Sequence, residues 1–483
     1  MRPLIGGIET ARTPESLIGQ LAASFGVVLL SGTGGSGQGR YSLVTTSPFL
    51  VFRSFGSRCE VTHPASGARN NLFGNPWQIL DALMSRFELL DEPDQPFPLG
   101  GCFGFWGYDL KNFSEAKLPR RALNDLELPD CHVGFYDSLV IFDHQLEKTF
   151  IVSTGLNADG SRDEQRARER FDFWKHHLQN GDPTGTKARN GEPDWRSPAS
   201  QELSSNCTRD EFVGRVRRAQ QYIRSGDIYQ VNLSQRLAAP RDVAGWDFFQ
   251  RLNAVSPAPF AAFLDCGDFQ IASSSPEQFL RLSGSHIVTR PIKGTRPRDA
   301  DPTRDAQLAY ELQTNAKELA ELVMITDLLR NDLGKVCEFG SVQTPELARL
   351  EKFAQVQHLI STVEGRLRKD VTHFGALASC FPGGSITGAP KFRAMQIIDE
   401  LEPVSRGPYC GCHGYLGFNR ESQLSITIRT AICAREKIYF NVGAGIVADS
   451  DPEAEYEETL AKAAGFLAAL NPLRVTTAFP ASH

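Results

Sequence analysis

Helix-like and strand-like patterns follow one another irregularly in the second half of the chain, and this order limits the folds it can adopt. Thr208 and Glu211 form a capping-box pattern before an apolar helical stripe, and Tyr229, Val231 and Leu233 then alternate as in a strand. Further periodic segments are helical patterns at 304–334 and 391–401, a strand-like run at 438–447 and a helix opening at 451–452. Because strands and helices do not alternate strictly, the sequence predicts an α+β fold with antiparallel sheets and packed helices.

The first 155 residues differ from the rest, since short β-branched and aromatic runs bounded by turn residues dominate them. A charged helical pattern follows at 161–179, and residues 180–206 are polar, rich in proline and glycine, and aperiodic. These changes predict a β-rich domain at 1–155, a helix and linker at 156–206, and a second, regularly patterned domain at 207–472.

Composition excludes several classes of protein. The chain has 483 residues with a formal net charge of −6, so it has no general attraction for nucleic acid or anionic lipid. No apolar run approaches the roughly 18 residues that a membrane helix needs, and the first residues lack a secretory signal pattern. We therefore expect a cytoplasmic protein whose ten cysteines are reduced, with neither nucleic acid nor membrane as a partner.

Two motifs resemble catalytic signatures, but each has a simpler interpretation. The glycines from Gly32 to Gly37 match a dinucleotide fingerprint, yet a strand-like run follows where the fingerprint requires a helix, which favours a hairpin loop. Cys102 lies between glycines like a nucleophilic cysteine, but aromatic residues surround it and no base follows at a suitable distance. We expect a buried structural cysteine, and hence no ammonia-producing site of its own.

Four glutamates are candidates for a metal site. Glu318 and Glu321 share one face of a helix, as do Glu455 and Glu458 on another. Two helices that each offer two carboxylates suit a hard divalent cation, and Mg²⁺ best when the substrate is itself a carboxylate. The spacing is equally compatible with two solvated acidic helix faces.

A lysine and several anion-binding elements extend this candidate site. Lys293 lies between proline and glycine at the end of a strand-like run, where its neutral amine would be a nucleophile, and Glu277 could return to it across a hairpin. The glycine-rich segment 381–391, the pair Gly443 and Gly445, and Arg429 each offer groups that bind carboxylates. A solvent-facing lysine and ordinary turns remain the alternatives for these residues taken singly.

At these residues the sequence resembles the chorismate-utilising family, which includes anthranilate, aminodeoxychorismate, isochorismate and salicylate synthases. The resemblance is strong over 210–470 and weaker before it. The matching runs are GDIYQVN at 226–232, SPE at 275–277, PIKGT at 291–295, DLLRND at 327–332, 381–391 and EYEET at 455–459. It implies an anthranilate synthase component I-like, chorismate-binding fold, which is a large α/β sandwich of antiparallel sheets with surrounding helices.

The resemblance also assigns roles to individual positions. It implies Mg²⁺ as the cofactor at the four glutamates, with chorismate and ammonia as substrates and a glutaminase subunit as the partner that supplies the ammonia. The residues it implies for catalysis are Lys293, Glu277 and His358. Those it implies for substrate binding are Gly294, Thr295, Thr387, Gly388, Tyr415, Arg429, Gly443, Gly445 and Lys462.

Three positions indicate which reaction the family resemblance implies. Family members that add water at C2 carry a lysine base where this chain has Gln230, and members that add ammonia at C2 carry a small residue where it has Lys293. Lys293 is typical of the C4-aminating members, in the route to 4-aminobenzoate and folate, and Asn232 agrees with that choice. An anthranilate-forming enzyme that tolerates this lysine, or an inactive regulatory subunit, remains an alternative.

Overall fold

The computed structural model describes residues 2–21, 24–32, 39–92, 94–180, 203–353 and 356–470. The strands in these ranges are β1 (Leu4–Ile8), β2 (Val28–Ser31), β3 (Tyr41–Thr45), β4 (Leu50–Phe55), β5 (Arg58–His63), β6 (Ala68–Phe73), β7 (Gly101–Trp106), β8 (Cys131–Tyr136), β9 (Ser138–Asp143), β10 (Lys148–Ser153), β11 (Ser204–Ser205), β12 (Gln230–Pro240), β13 (Phe260–Asp265), β14 (Phe269–Ser275), β15 (Gln278–Ser283), β16 (His286–Thr289), β17 (Ile292–Pro297), β18 (Gln343–Lys352), β19 (Val356–Arg366), β20 (Gly388–Ala389), β21 (Cys412–Gly417), β22 (Glu421–Ile426), β23 (Thr430–Ala434) and β24 (Lys437–Ile446).

The α-helices in the same ranges are α1 (Pro14–Gln20), α2 (Pro76–Met84), α3 (Lys111–Ser114), α4 (Glu164–Gln179), α5 (Arg209–Arg224), α6 (Gly245–Val255), α7 (Pro302–Thr314), α8 (Ala316–Gly334), α9 (His373–Cys380), α10 (Lys391–Leu401), α11 (Pro452–Lys462) and α12 (Ala464–Leu470). Short 3₁₀ turns lie at Tyr108–Leu110 and Gly384–Ile386. None of the helices in the described part of the chain is both long and apolar enough to cross a lipid bilayer.

The strands form two large antiparallel sheets. One sheet has the order β1-β10-β9-β3-β2-β13-β14-β23-β24-β12-β11, with β20 added beside β12. The other has the order β17-β19-β16-β15-β22-β21-β7-β8-β4-β5-β6, with β18 added beside β19. The main hydrophobic core combines apolar side chains from both sheets, such as Phe103 of β7 and Ile271 of β14. This architecture confirms the α+β fold predicted from the sequence.

Strands from before residue 155 and after residue 207 are mixed in both sheets. In the first sheet β2 pairs with β13, and in the second β7 pairs with β21. The boundary predicted between 1–155 and 207–472 therefore does not separate two independent sheets. Most of the predicted linker at 180–206 lies outside the described residues.

Several local predictions can be compared directly with the elements. The capping box of Thr208 and Glu211 begins α5, and Asp451 caps α11 with a proline in its first turn, as predicted. The segment 304–334 is not one helix, because Asn315 ends α7 and caps α8 by accepting a hydrogen bond from the Glu318 amide. Cys102 is fully buried, as predicted.

The glycine-rich stretch at 32–37 joins β2 and β3, which pair with each other in antiparallel fashion as a hairpin would. Residues 33–38 themselves lie outside the described part of the chain.

Candidate active site

A cavity of about 540 Å³ lies where β17, β19, β24, α8 and α11 meet. Thirteen of the sixteen predicted site residues line it, although they are scattered over 186 positions of the sequence from Glu277 to Lys462. These are Glu277, Lys293, Gly294, Thr295, Glu318, Glu321, His358, Arg429, Gly443, Gly445, Glu455, Glu458 and Lys462.

Three predicted residues do not line this cavity. Thr387 and Gly388 lie behind its wall, where the Thr387 carbonyl oxygen accepts from the Asn232 amide and Gly388 pairs with Val231. Tyr415 of β21 stacks on Phe103, with ring centroids 5.4 Å apart, and borders a separate small cavity instead. The prediction that Tyr415 binds the substrate in the main cavity is therefore wrong.

Lys293 reaches the cavity through an irregular part of β17. The pairing of β17 with β19 shifts by one residue between Lys293 and Thr295, and Gly294 adopts φ of +70° at this bulge. A β-carbon at position 294 would lie 2.5 Å from Leu312 Cδ1, so glycine is required for α7 to pack here. The Lys293 Nζ lies 3.8 Å from a Glu321 carboxylate oxygen, and both side chains are largely buried.

Glu277 follows β14 and is almost fully buried. Burial raises the pKa of its carboxyl from 4.5 to about 7, while the Ser385 hydroxyl, the nearby charge of Lys293 and the Ile292 amide lower that pKa and oppose the rise. A carboxyl that titrates near neutral pH can both release and accept a proton, which is the property of a general acid–base group.

His358 of β19 lies opposite the bulge and is held through its Nδ1 atom. Nδ1 lies 3.0 Å from Thr295 Oγ1 and 3.2 Å from the Gly294 carbonyl oxygen. Since a carbonyl oxygen only accepts, Nδ1 carries the proton and Nε2 of the neutral ring is an acceptor. Burial lowers the pKa of His358, which keeps the ring neutral at pH 7.

Arg429 supplies a cation that no described residue pairs with. It lies between β22 and β23 with φ of +48°, and its side chain makes no hydrogen bond or ion pair with any other residue that the structure describes. The guanidinium is accessible from the cavity, yet the surrounding protein desolvates it and lowers its pKa. An unpaired arginine in a strained backbone conformation is suited to binding a carboxylate of a ligand.

The four glutamates approach the cavity from two helices, Glu318 and Glu321 on α8 and Glu455 and Glu458 on α11. In the described ranges no three metal-binding side chains converge tightly enough to form a complete ion site. The Glu455 Oε1 atom accepts from Ser450 Oγ at 2.6 Å, whereas its Oε2 atom is buried without a donor among the residues that the structure describes.

Burial is the main cause that raises the pKa values of Glu321 and Glu455, and neighbouring glutamates raise both further. This excess of negative charge and the orphaned oxygen fit a Mg²⁺ ion that keeps several water or substrate ligands.

The β24 side of the cavity is lined by backbone. A β-carbon at Gly443 would lie 2.8 Å from both the Leu233 carbonyl oxygen and the Tyr409 hydroxyl, and one at Gly445 would lie 2.5 Å from Gln230 Nε2. Lys462 donates to the Gly443 carbonyl at 2.8 Å and pairs with Glu458 at 2.7 Å. The glycines therefore allow close packing of this wall, and Lys462 links it to α11.

The structure adds lining residues to which the sequence interpretation gave no role. They include Asn315, Lys317, Ser385, Tyr409, Asn441 and Phe466. Ser385 could have been suspected because it lies in the glycine-rich segment, and Asn315 because it precedes the Glu318 pair with the spacing of a helix cap. Tyr409, Asn441 and Phe466 carry no such local signal.

Comparison with known proteins gives consistent results. Residues 42–468 match the family described as chorismate binding enzyme. Anthranilate synthase component 1 of Acetivibrio thermocellus is 39% identical over 460 residues, covering 95% of this chain and 92% of that protein. Aminodeoxychorismate synthase component 1 of Salmonella typhimurium is 44% identical over 389 residues, covering 80% and 81% respectively. The crystal structure of anthranilate synthase component I from Streptococcus pneumoniae is similar with a TM-score of 0.78 and 31% identity, covering 88% and 92%.

Proposed function

The chain belongs to the chorismate-binding enzymes, in the group of anthranilate and aminodeoxychorismate synthase component I, and on this premise we propose that it aminates chorismate at C4. The product would be 4-amino-4-deoxychorismate, a precursor of 4-aminobenzoate and folate. The observation that carries this proposal is Lys293, whose amine enters the cavity beside the buried carboxyl of Glu277.

The proposed reaction has two displacements. In the first, neutral Lys293 forms a bond to C2 of the ring, the double bonds shift, and the C4 hydroxyl leaves as water with a proton from Glu277. In the second, ammonia forms a bond to C4, the C2–N bond breaks to restore Lys293, and Glu277 accepts the surplus proton. Chorismate and ammonia thus yield the aminated product and water, and the enzyme is unchanged.

The near-neutral pKa of Glu277 supports this double use. At pH 7 both the protonated and the ionised carboxyl are populated. The proposed reaction needs the protonated form as an acid in the first step and the ionised form as a base in the second. Arg429 and neutral His358 would hold the substrate's carboxylate and polar groups. Mg²⁺ bound among the four glutamates would neutralise the ring carboxylate and draw electron density toward it.

Ammonia is proposed to come from a glutaminase subunit. The names of the relatives include the words component 1, which supports a second component for them. For this chain, the buried position of Cys102 and the desolvation that raises its pKa well above the ordinary value make it a poor nucleophile.

Amination at C2 to give anthranilate is the second candidate. It is favoured by the similarity to an anthranilate synthase component 1 that covers 95% of the chain at 39% identity, whereas the aminodeoxychorismate synthase component 1 match covers 80% at 44% identity. In that reaction ammonia would attack C2 directly, the C4 hydroxyl would leave as water, and elimination of pyruvate would then form the aromatic ring, so that Lys293 would form no covalent bond.

Product analysis separates the two candidates. Incubation with chorismate, ammonium and Mg²⁺, followed by chromatography and mass spectrometry, should give 4-amino-4-deoxychorismate. Exclusive formation of anthranilate by the unmodified protein would refute the C4 proposal.

Lys293→Ala tests the role of the lysine. We expect loss of the C4 product with chorismate binding retained, and any remaining amination should occur at C2, because ammonia then has direct access to that carbon. Glu277→Gln is the matched control: it should slow turnover by about 10²- to 10⁴-fold without changing the position of amination. An unchanged C4 product in Lys293→Ala would contradict the mechanism.

The covalent intermediate can be detected directly. Intact-protein mass spectrometry of the enzyme mixed with chorismate without ammonia should show an adduct with the mass of chorismate less water. Lys317→Ala, which removes another lysine of the same cavity, should keep the adduct, whereas Lys293→Ala should lose it.

The metal proposal has its own test. Mn²⁺ binding, followed by electron paramagnetic resonance as a substitute for Mg²⁺, should weaken in Glu455→Gln by about tenfold or more, because a charged ligand is lost. Glu457→Gln, which alters an exposed carboxylate on the same helix, should bind like the wild type.

A further inference from the structure

A fully buried ion pair lies directly behind the cavity wall. Arg406 and Glu402 are 4% and 5% exposed. The Arg406 Nε atom donates to Glu402 Oε2 at 2.8 Å and Nη2 donates to Glu402 Oε1 at 2.7 Å, which is a bidentate pair. The rings of Tyr108 and Tyr409 flank the guanidinium, at 4.7 and 5.8 Å from its central carbon.

The pair joins two segments of the cavity wall. Arg406 Nη2 also donates to the Asn232 carbonyl oxygen at 2.7 Å, and Nη1 donates to the Ile386 carbonyl oxygen at 3.1 Å. Glu402 Oε1 accepts from both the backbone amide and the hydroxyl of Ser234. One guanidinium therefore fixes β12 and the 3₁₀ turn Gly384–Ile386 relative to each other.

Both of the fixed segments carry groups that face the cavity. Asn232, Ser385 and Glu277 all line it, and the Ser385 hydroxyl lies near enough to the Glu277 carboxyl to lower its pKa. The Asn232 amide also donates to the Thr387 carbonyl oxygen at 2.8 Å, which closes the connection between strand and turn. A displacement of the turn would move the Ser385 hydroxyl away from Glu277.

We propose that Arg406, oriented by Glu402, is a positioning residue for this active site, which holds Ser385 against Glu277 and Asn232 against the substrate. This deepens the proposed function, on which it rests. Neither side chain of the pair touches the cavity, so the effect passes through the carbonyl groups that Arg406 binds.

The form of the pair supports a geometric role. A buried ion pair is often no more stabilising than apolar residues of similar size, because desolvation offsets the attraction between the charges. The planar guanidinium, however, donates in fixed directions to four oxygen contacts on three segments, which apolar packing cannot reproduce. Precise placement matters in catalysis, since displacements of about 1 Å can cost about 100-fold in rate.

The main test is a double variant, Arg406→Met with Glu402→Gln, which removes both charges and leaves no unpaired ion. Total chorismate consumption is measured, whichever carbon is aminated, so that failure of the C4 proposal does not affect the result. We expect kcat to fall by about 10- to 100-fold while KM for chorismate changes much less. Arg393→Met, which breaks the half-exposed pair with Asp227 outside the cavity, should leave kcat unchanged.

The pH profile distinguishes positioning from a general loss of structure. The charged or titratable groups facing Glu277 are Lys293 and Cys410, and burial keeps the thiol neutral by raising its pKa to about 12. Displacement of the Ser385 hydroxyl removes an interaction that lowers the Glu277 pKa. The kinetic ionisation near pH 7 should therefore move to higher pH in the double variant, and likewise in Ser385→Ala, which disturbs no buried charge.

The outcomes are decisive in either direction. Wild-type kcat and an unshifted pH profile in a folded double variant would overturn the proposal. If that variant does not fold, Ser385→Ala and Arg406→Lys decide: an unchanged profile in Ser385→Ala refutes the link to Glu277. A kcat of Arg406→Lys, which retains one donor group, that lies below the wild-type value supports the positioning role of Arg406, and a wild-type kcat in this variant refutes that role.

Discussion

At the scale of single residues, the buried carboxyl of Glu277 connects function with stability. Burial raises its folded pKa from 4.5 to about 7, so the folded protein binds a proton more tightly than the unfolded chain does. Its contribution to stability is fully present below about pH 4.5 and is lost as pH rises through about 7. The shift from 4.5 to about 7 corresponds to a loss of about 3 kcal/mol.

Glu277→Gln removes this ionisation and should therefore stabilise the folded protein only at higher pH. We expect a gain in the free energy of unfolding, measured with urea, of about 1 to 3 kcal/mol at pH 8 and little change at pH 5. If the free energies of unfolding of Glu277→Gln and the wild type differed by the same amount at pH 5 and pH 8, the pKa of Glu277 would be shown to be unshifted by folding.

The sequence motifs located most of the individual site residues but not their environments. Lys293, Glu277 and the four glutamates could be named because each lies in a distinctive local run. The approach of Ser385 to Glu277 in the cavity could not be predicted, because more than one hundred positions separate the two residues. Tyr415 was misplaced for a related reason: successive residues of a strand face opposite sides, and the register of β21 determines which side Tyr415 faces.

At the scale of secondary structure, the break between α7 and α8 determines where Glu318 points. Asn315 ends one helix, and its side chain accepts from the Glu318 amide to begin the next. Asn315→Ala should lower the free energy of unfolding by about 1 kcal/mol, because the first turn of α8 loses its cap. Asn315→Ser retains a capping oxygen and should differ from the wild type by less than half as much. Equal stability of all three proteins in urea would contradict this role.

The sequence predicts one continuous helix because its apolar stripe is not interrupted at this break. Leu308, Leu312, Leu319 and Leu322 maintain an apolar helical stripe across Asn315, so periodicity alone gives no sign of an interruption. Asparagine followed three residues later by glutamate was the available local signal. Isolated capping patterns and short periodic helices, such as α5 and α10, were predicted well because their bounds depend on nearby residues.

At the scale of the whole molecule, the sheets are assembled from pairings that no local pattern encodes. The contacts of β2 with β13 and of β7 with β21 join segments that are hundreds of residues apart in the sequence. A change of composition near residue 155 suggested a domain boundary, whereas the strands on either side of it complete the same two sheets. The cavity is lined by residues after 207, but the sheets that position them depend on the first 155.

A fragment that begins at residue 203 should therefore not fold by itself. It lacks β1 to β10, which leaves β13 and β21 without the neighbours β2 and β7 and exposes Phe269 and Tyr415, whose ring partners Phe105 and Phe103 lie in β7. We expect no near-ultraviolet circular dichroism signal and no sharp thermal transition from residues 203–483 alone. Co-expression with residues 1–180 should restore both, since the two parts together contain every described strand. A fragment that folded unaided and consumed chorismate would instead show that the residues after 203 form an autonomous catalytic domain.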